Sequence, residues 1–180
     1  MLRIIVPKTE LYDEEKETFS TVGGGILELE HSLFSISLWE AKWHKPFISE
    51  DPRSYEETIS YIKCMTTNFA EPEVYAGLTE ENMEDIKKYI DDSATATWFS
   101  NKGAGAPSKK IITSEIIYYQ MISLNIPFEC QHWHLNRLLT LIRVCSEKNT
   151  PNKKKMSKAE IRARNKALND ERRKRLGTTG

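Results

Sequence analysis

Cysteine is scarce in this chain of 180 residues: Cys64, Cys130 and Cys145 are an odd number at irregular spacing. That excludes a disulfide framework and suits a reducing compartment. No apolar run approaches the ~20 residues that a membrane-spanning helix needs. The opening residues lack the charged-then-apolar pattern of a secretion signal. Together these absences predict a soluble intracellular protein, or one of a particle assembled in a cytoplasm, with no membrane partner. Catalytic signatures are missing too. There is no G-x-S-x-G, no H-E-x-x-H, and no cysteine with a supporting histidine motif. The glycines at 23–25 are not followed by Lys-Ser or Lys-Thr, so they read as a flexible turn and not a phosphate loop. Asp91 and Asp92 are adjacent at a helix end, where carboxylates are more often solvated than paired for acid–base work. We therefore expect no enzyme, no catalytic residue and no cofactor.

Charge of one sign is absent only on average. The 26 basic and 26 acidic residues cancel, yet they are segregated. Residues 150–180 hold eleven Lys and Arg against three Asp and Glu. The first 149 residues carry the remaining fifteen basic and twenty-three acidic ones. An acidic body with a basic tail is the pattern of an interaction arm.

The patterning predicts a mainly α protein: a helical core domain over 1–149, with strands within 2–36 and helices over 37–148, and a basic helical arm over 150–180. Residues 2–6 form an apolar run closed by Pro7 and read as a strand. Residues 8–21 are polar and read as loop. A second strand is expected from the apolar residues after Gly25 to about Phe34. Capping boxes mark helix starts at Ser37 with Glu40, Ser54 with Glu57, and Ser157 with Glu160. Thr79 ahead of Glu80, Glu81 and Glu84 marks another, since acids in a first turn complement the helix dipole. The expected buried faces are Tyr55, Ile59, Ile62 and Met65 in one helix, and Met83, Ile86, Tyr89 and Ile90 in the next. Residues 93–110 are a loop rich in small residues, of a length usually functional or mobile. Thr113 or Ser114 caps a helix carrying Ile116, Ile117, Met121 and Leu124. The broadest apolar stripe spans 128–146 with Trp133, Leu135, Leu138, Leu139, Ile142 and Cys145. That helix is expected at the centre of the core, with Trp133 buried. The tail beyond 150 has a thin apolar face and is marginal alone. We expect it frayed when free and ordered by a partner.

Candidate interaction residues follow from this. Trp39 and Trp43 are aromatic anchors of the kind enriched at binding hot spots, although their i, i+4 spacing also suits packing within the core. Trp98 lies in the long loop. Lys153, Lys154, Lys155, Arg162, Arg164, Arg172, Arg173, Lys174 and Arg175 supply the arm's charge. Such an arm suits an acidic protein partner or the body of a neighbouring copy. Nucleic acid is the alternative, bound through phosphates, although the arm offers no aromatic ring to stack on bases. Cys130, His132 and His134 are the only cluster resembling metal ligands. On a helix His132 would face away from the other two, so no metal is expected. His134 should hydrogen-bond at the core rim and His132 should be exposed.

Several stretches resemble a known family: residues 112–119 (ITSEIIYY), 126–129 (IPFE), 133–143 (WHLNRLLTLIR), 89–97 (YIDDSATAT), and the ending with 156–158 (MSK), 167–169 (ALN) and 172–175 (RRKR). They are similar to the tail assembly chaperones and related tail-morphogenesis proteins of long-tailed bacteriophages, over roughly residues 55–175. The resemblance implies a non-enzymatic factor that binds the tape-measure protein and tail tube subunits in the host cytoplasm. It would hold the tape measure soluble until the tube polymerises around it. A structural virion protein of the neck, tail terminus or baseplate is the alternative, its basic arm locking a neighbouring subunit. A small nucleic-acid-binding protein is the second alternative, and a homo-oligomer fits either protein-binding reading.

Overall fold

A computed structural model describes residues 1–13, 17–49, 51–99, 111–149 and 158–177, with backbone only for Leu11, Asp13, Glu160, Lys174 and Leu176. It divides into two units, Met1–Glu147 and Lys148–Gly180. The fold is mainly α with a small N-terminal β element.

That β element is larger than the apolar pattern implies. β1 (Leu2–Val6) pairs antiparallel with β4 (Gly25–Leu29), and β2 (Thr9–Asp13) with β3 (Thr18–Val22). Both pairings keep a single register, from Leu2 opposite Leu29 to Asp13 opposite Thr18. The four strands are thus the two halves of one long hairpin. Pro7, which has no N–H, and Gly23 and Gly24, at φ 77° and 76°, interrupt it midway. A side chain at Gly23 would place its Cβ 2.0 Å from the carbonyl oxygen of Pro7. These glycines therefore act as a fixed joint within a ribbon, not as a flexible turn. The expectation of a loop over 8–21 is corrected. The described side chains of β2 and β3 are mostly exposed, so no apolar alternation betrays them. Thr, Tyr and Phe nevertheless favour the extended backbone.

The inner half supplies Ile4, Val6, Leu27 and Leu29 to the core. Its outer edge is covered by residues just after a helix. Thr67 donates to Glu28 O, Glu30 to Met65 O, and Glu28 to Asn68 Oδ1. These bonds occupy backbone groups that would otherwise be an open edge.

Helix α1 (Leu33–Trp43) begins earlier than the Ser37 box suggests. Ser32 is the cap, accepting from Ser35 N, and Ser37 lies within the helix with its hydroxyl donating to Phe34 O. The strand correspondingly ends at Leu29, not near Phe34. Glu40, expected in a cap, is buried instead. Its Oε1 accepts from Phe47 N at 2.7 Å, and its Oε2 accepts from Ser114 N at 2.8 Å and Ser114 Oγ at 2.5 Å.

The next two helix starts are where the sequence places them. α2 (Tyr55–Met65) opens on the Ser54–Glu57 capping box. Its buried face is Tyr61, Ile62 and Met65, while Tyr55 is exposed. After the short α3 (Pro72–Ala76), α4 (Glu80–Asp91) opens on a reciprocal Thr79–Asn82 cap. Asn82 also donates to Ile5 O, joining α4 to the ribbon. α5 (Ser114–Ser123) buries Ile117 and Met121 completely, but Ile116, Tyr119 and Ile122 face solvent.

One long helix over 128–146 is not formed. A 3₁₀ helix (Phe128–His132) is followed by extended backbone at Trp133 and then by α6 (Leu135–Asn149). The break lets His134 pair with Ser32, and lets Leu135 N donate to His31 O at 2.7 Å. Leu135, Leu138 and Ile142 remain in the core, each such side chain contributing about 1.5–3 kcal/mol. Trp133 lies outside the helix and is only half-buried, with the Arg137 guanidinium 4.0 Å from its ring. In the second unit, α7 (Lys158–Leu176) is helical, in keeping with its Ala, Arg, Lys and Leu content. Ser157 of the expected capping box lies outside the described residues, as do 100–110 of the long loop.

Glu40→Ala would strand two backbone N–H groups and a hydroxyl in the core. We expect a loss of about 3 kcal/mol in urea unfolding, and a clearly smaller one for Glu40→Gln, which keeps an acceptor oxygen.

Candidate functional site

Of the residues singled out for partner binding, the structure leaves some at the surface and removes one. Trp39 is 2% exposed and its indole N–H donates to Glu57 O at 2.9 Å. It belongs to the core, and its proposed role as an interface anchor is corrected: a ring enclosed by Phe47, Trp43 and α2 has no face left for a partner. Trp43 is half-buried, donating to Ser60 Oγ, with the Lys42 ammonium over its ring. Trp98 is 83% exposed. Arg162, Arg164, Arg172, Arg173 and Arg175 are all exposed on α7, and the backbone of Lys174 lies in the same helix. Lys153, Lys154 and Lys155 lie outside the described residues.

Two apolar surfaces escaped the sequence reading. At the outer end of the ribbon Tyr12 and Phe19 sit directly opposite each other, rings 5.0 Å apart, and both are exposed. By strand alternation they continue the face that is core-facing in the inner half, through Ile4, Val6 and Leu27. Along α1 and α5, Phe34, Leu38, Ile116, Tyr119 and Ile122 are also exposed. The stretch around α5 is apolar on every side, and this hid which side is covered.

Cys130, His132 and His134 do not converge. His132 is exposed against the Phe34 ring, and burial pushes the Cys130 thiol pKa up. Among the described residues no three metal-ligating side chains gather. His134 is buried and donates from Nε2 to Tyr89 O at 2.9 Å, as expected of it. Its Nδ1 is buried with no hydrogen-bond partner among the described residues.

A polar cluster surrounds it. His31, 3% exposed, stacks edge-on with His134 at 5.1 Å, and its Nδ1 lies 2.6 Å from Tyr61 Oη. Tyr89 donates its hydroxyl to Glu30 Oε1 at 2.6 Å, and Glu30 also meets the N-terminal amine at 3.0 Å. Burial pushes the Tyr61 phenol well above its ordinary pKa and raises Tyr89, whose bond to Glu30 adds to the effect. Burial lowers His31 to about 4, helped by the adjacent His134 and Arg53. This cluster knits the β4–α1 corner to α2, α4 and the start of α6. Apart from His134, the cluster was not legible in the sequence, because lone histidines and tyrosines in apolar stretches carry no spacing.

Compared with known proteins, the chain matches no family model, no curated protein and no solved structure. Among the described residues no helix is long and apolar enough to cross a membrane.

His31 binds protons less readily folded than unfolded. Its contribution is therefore whole above the unfolded pKa of 6.5 and is lost as pH falls toward 4. We expect stability to drop by about 3 kcal/mol across that window, and His31→Phe to remove most of the slope, measured by urea unfolding at a series of pH values.

Proposed function

We propose that this chain is a non-enzymatic assembly factor that binds other proteins through its basic arm. The observation that carries the reading is α7. Its 19 residues hold eight Lys and Arg against three Asp and Glu, and every described side chain on it is exposed. Its own apolar residues, Ile161 and Leu168, are 46% and 43% exposed. A helix with so little buried apolar surface draws its stability from what it docks against. A cationic helix of this kind selects an acidic segment and hastens encounter with it.

The resemblance to tail-morphogenesis proteins narrows the reading to a bacteriophage tail assembly chaperone. Its partners would be the tape-measure protein and tail tube subunits, and it would act in the host cytoplasm. The unpartnered ring pair at the ribbon tip and the apolar face of α1 and α5 suit a chaperone, which needs surface for amphipathic helices before assembly. They equally suit a structural virion component, whose projecting elements bind neighbouring subunits, and that is the second reading.

Mass spectrometry of purified virions separates the two. A chaperone is expressed during infection and missing from mature particles, whereas a structural protein is present at fixed copy number. We expect deletion of 150–180 to leave the thermal midpoint of the body within a few degrees and to abolish co-purification with tape-measure protein. A large fall in that midpoint would make the arm part of the core. Nucleic-acid binding would show as a steep log–log loss of affinity with salt, losing roughly 10³–10⁵ between 50 and 200 mM if six to ten phosphates were contacted. We expect no such slope. Tyr12→Ala with Phe19→Ala should change stability by less than about 1 kcal/mol while weakening partner capture in the same co-purification.

A further inference from the structure

Between α2, the end of α4, the start of α6 and the segment joining α1 to α2 lies a cavity of about 460 Å³. Small ligands are typically enclosed by pockets of roughly 300–1,000 Å³ with mostly apolar walls and a few converging polar groups. Here Phe47, Ile48, Ile90, Leu135 and Leu139 form apolar wall. Arg53, His31 and Tyr61 supply the polar side.

Arg53 is the telling group. Its guanidinium lies 4.0 Å from the centre of the Phe47 ring and 5.7 Å from that of Trp39, and one Nη donates to Phe47 O. Among the described residues it forms no ion pair. Burial works against its charge, and Tyr61 and the Glu57 carboxylate offset only part of that cost. A guanidinium held over an aromatic ring keeps donors free for a planar anion. His31 adds a second donor: when Tyr61 donates to Nδ1, the neutral ring carries its proton on Nε2. Asp91 lines the same cavity, which disfavours a doubly charged head such as phosphate.

We propose that this cavity binds a monocarboxylate attached to an apolar chain or ring. The carboxylate sits on Arg53 and His31, and the apolar part lies against Ile90, Leu135 and Leu139. The residues lining it all belong to the first unit, and the proposal is independent of the assembly reading. A free organic acid and the C-terminal residue of a polypeptide share this chemistry.

Calorimetric titration of the full chain distinguishes them. The probes are phenylbutyrate, an acetylated tripeptide ending in leucine with a free carboxylate, and the same tripeptide as its amide. We expect at least one carboxylate to bind at millimolar concentration or better, and the amide to bind at least about tenfold more weakly. Phenylbutyrate alone binding supports the site with a free acid as its source. Binding of the peptide acid supports it with a polypeptide terminus. Arg53→Gln should weaken binding by about tenfold or more, and Leu139→Trp should abolish it by filling the space, with folding of each checked by circular dichroism. If Arg53→Gln fails to fold, Leu139→Trp and the acid–amide difference decide. No binding of either acid, equal binding of acid and amide, or unchanged binding in folded Leu139→Trp overturns the proposal.

Discussion

Glu40 stands near the end of α1 with its carboxylate inside the protein, and its two oxygens hold two distant pieces of backbone. One fixes Phe47, on the segment after α1, and the other fixes the first residue of α5. A buried carboxylate is tolerated only when its acceptor capacity is used, and here three donors use it. The arrangement has wide consequences. Phe47 is pinned where it packs on Trp39 and Tyr61, and Arg53 is stacked on Phe47. The start of α5 is anchored against α1, so its Ile117–Met121 side is buried and its Ile116–Tyr119 side is left outside. The placing of Phe47 and Arg53 at the cavity and the exposed side of α5 thus both depend on one side chain.

The hairpin divides its labour along its length. Pairing and register are uniform, but only the inner half meets helices on its apolar face. Asn68 and the backbone around it close the outer edge of β4, and α3 abuts the joint where Gly23 donates to Glu73 O. Beyond the joint, the ribbon is held by its own ladder and by the Tyr12–Phe19 pair. Cross-strand aromatic pairs contribute roughly 0.2–1 kcal/mol, modest for so much exposed ring. That contrast between a packed base and the exposed Tyr12 and Phe19 rings is what the proposed recognition role of the outer half rests on.

The buried histidines play a structural part. His31 and His134 sit where the strand–helix corner meets α2, α4 and α6, and their bonds run to groups of the fold itself. The surfaces proposed for protein partners are the ribbon tip, the α1–α5 face and the basic helix. Among the described residues His134 Nδ1 is the buried side-chain polar atom left without a partner; such a body, with adhesive elements at its surface, suits the assembly role proposed above.

The sequence by itself determined much of the local structure. Ser54 with Glu57 and Thr79 with its following acids set where α2 and α4 begin, because caps act within one turn. Charge segregation marked the basic arm for the same reason: it is a property of composition. What lay beyond was decided by contacts distant in the chain. Glu40 and Ser37 looked like a cap, but Ser32 begins the helix, since His31 and Ser32 are held by residues 134–135. The stripe over 128–146 promised one helix, and that same pairing broke it at Trp133. Strands β2 and β3 had no apolar rhythm, because their described side chains are mostly exposed, and their partnership across the hairpin makes them strands. Trp39 and Trp98 are the same residue type in polar surroundings, and only packing placed one in the core and the other in solvent. Periodicity reports that a side can be buried; which side is buried depends on elements tens of residues away, and the tertiary structure alone supplies them.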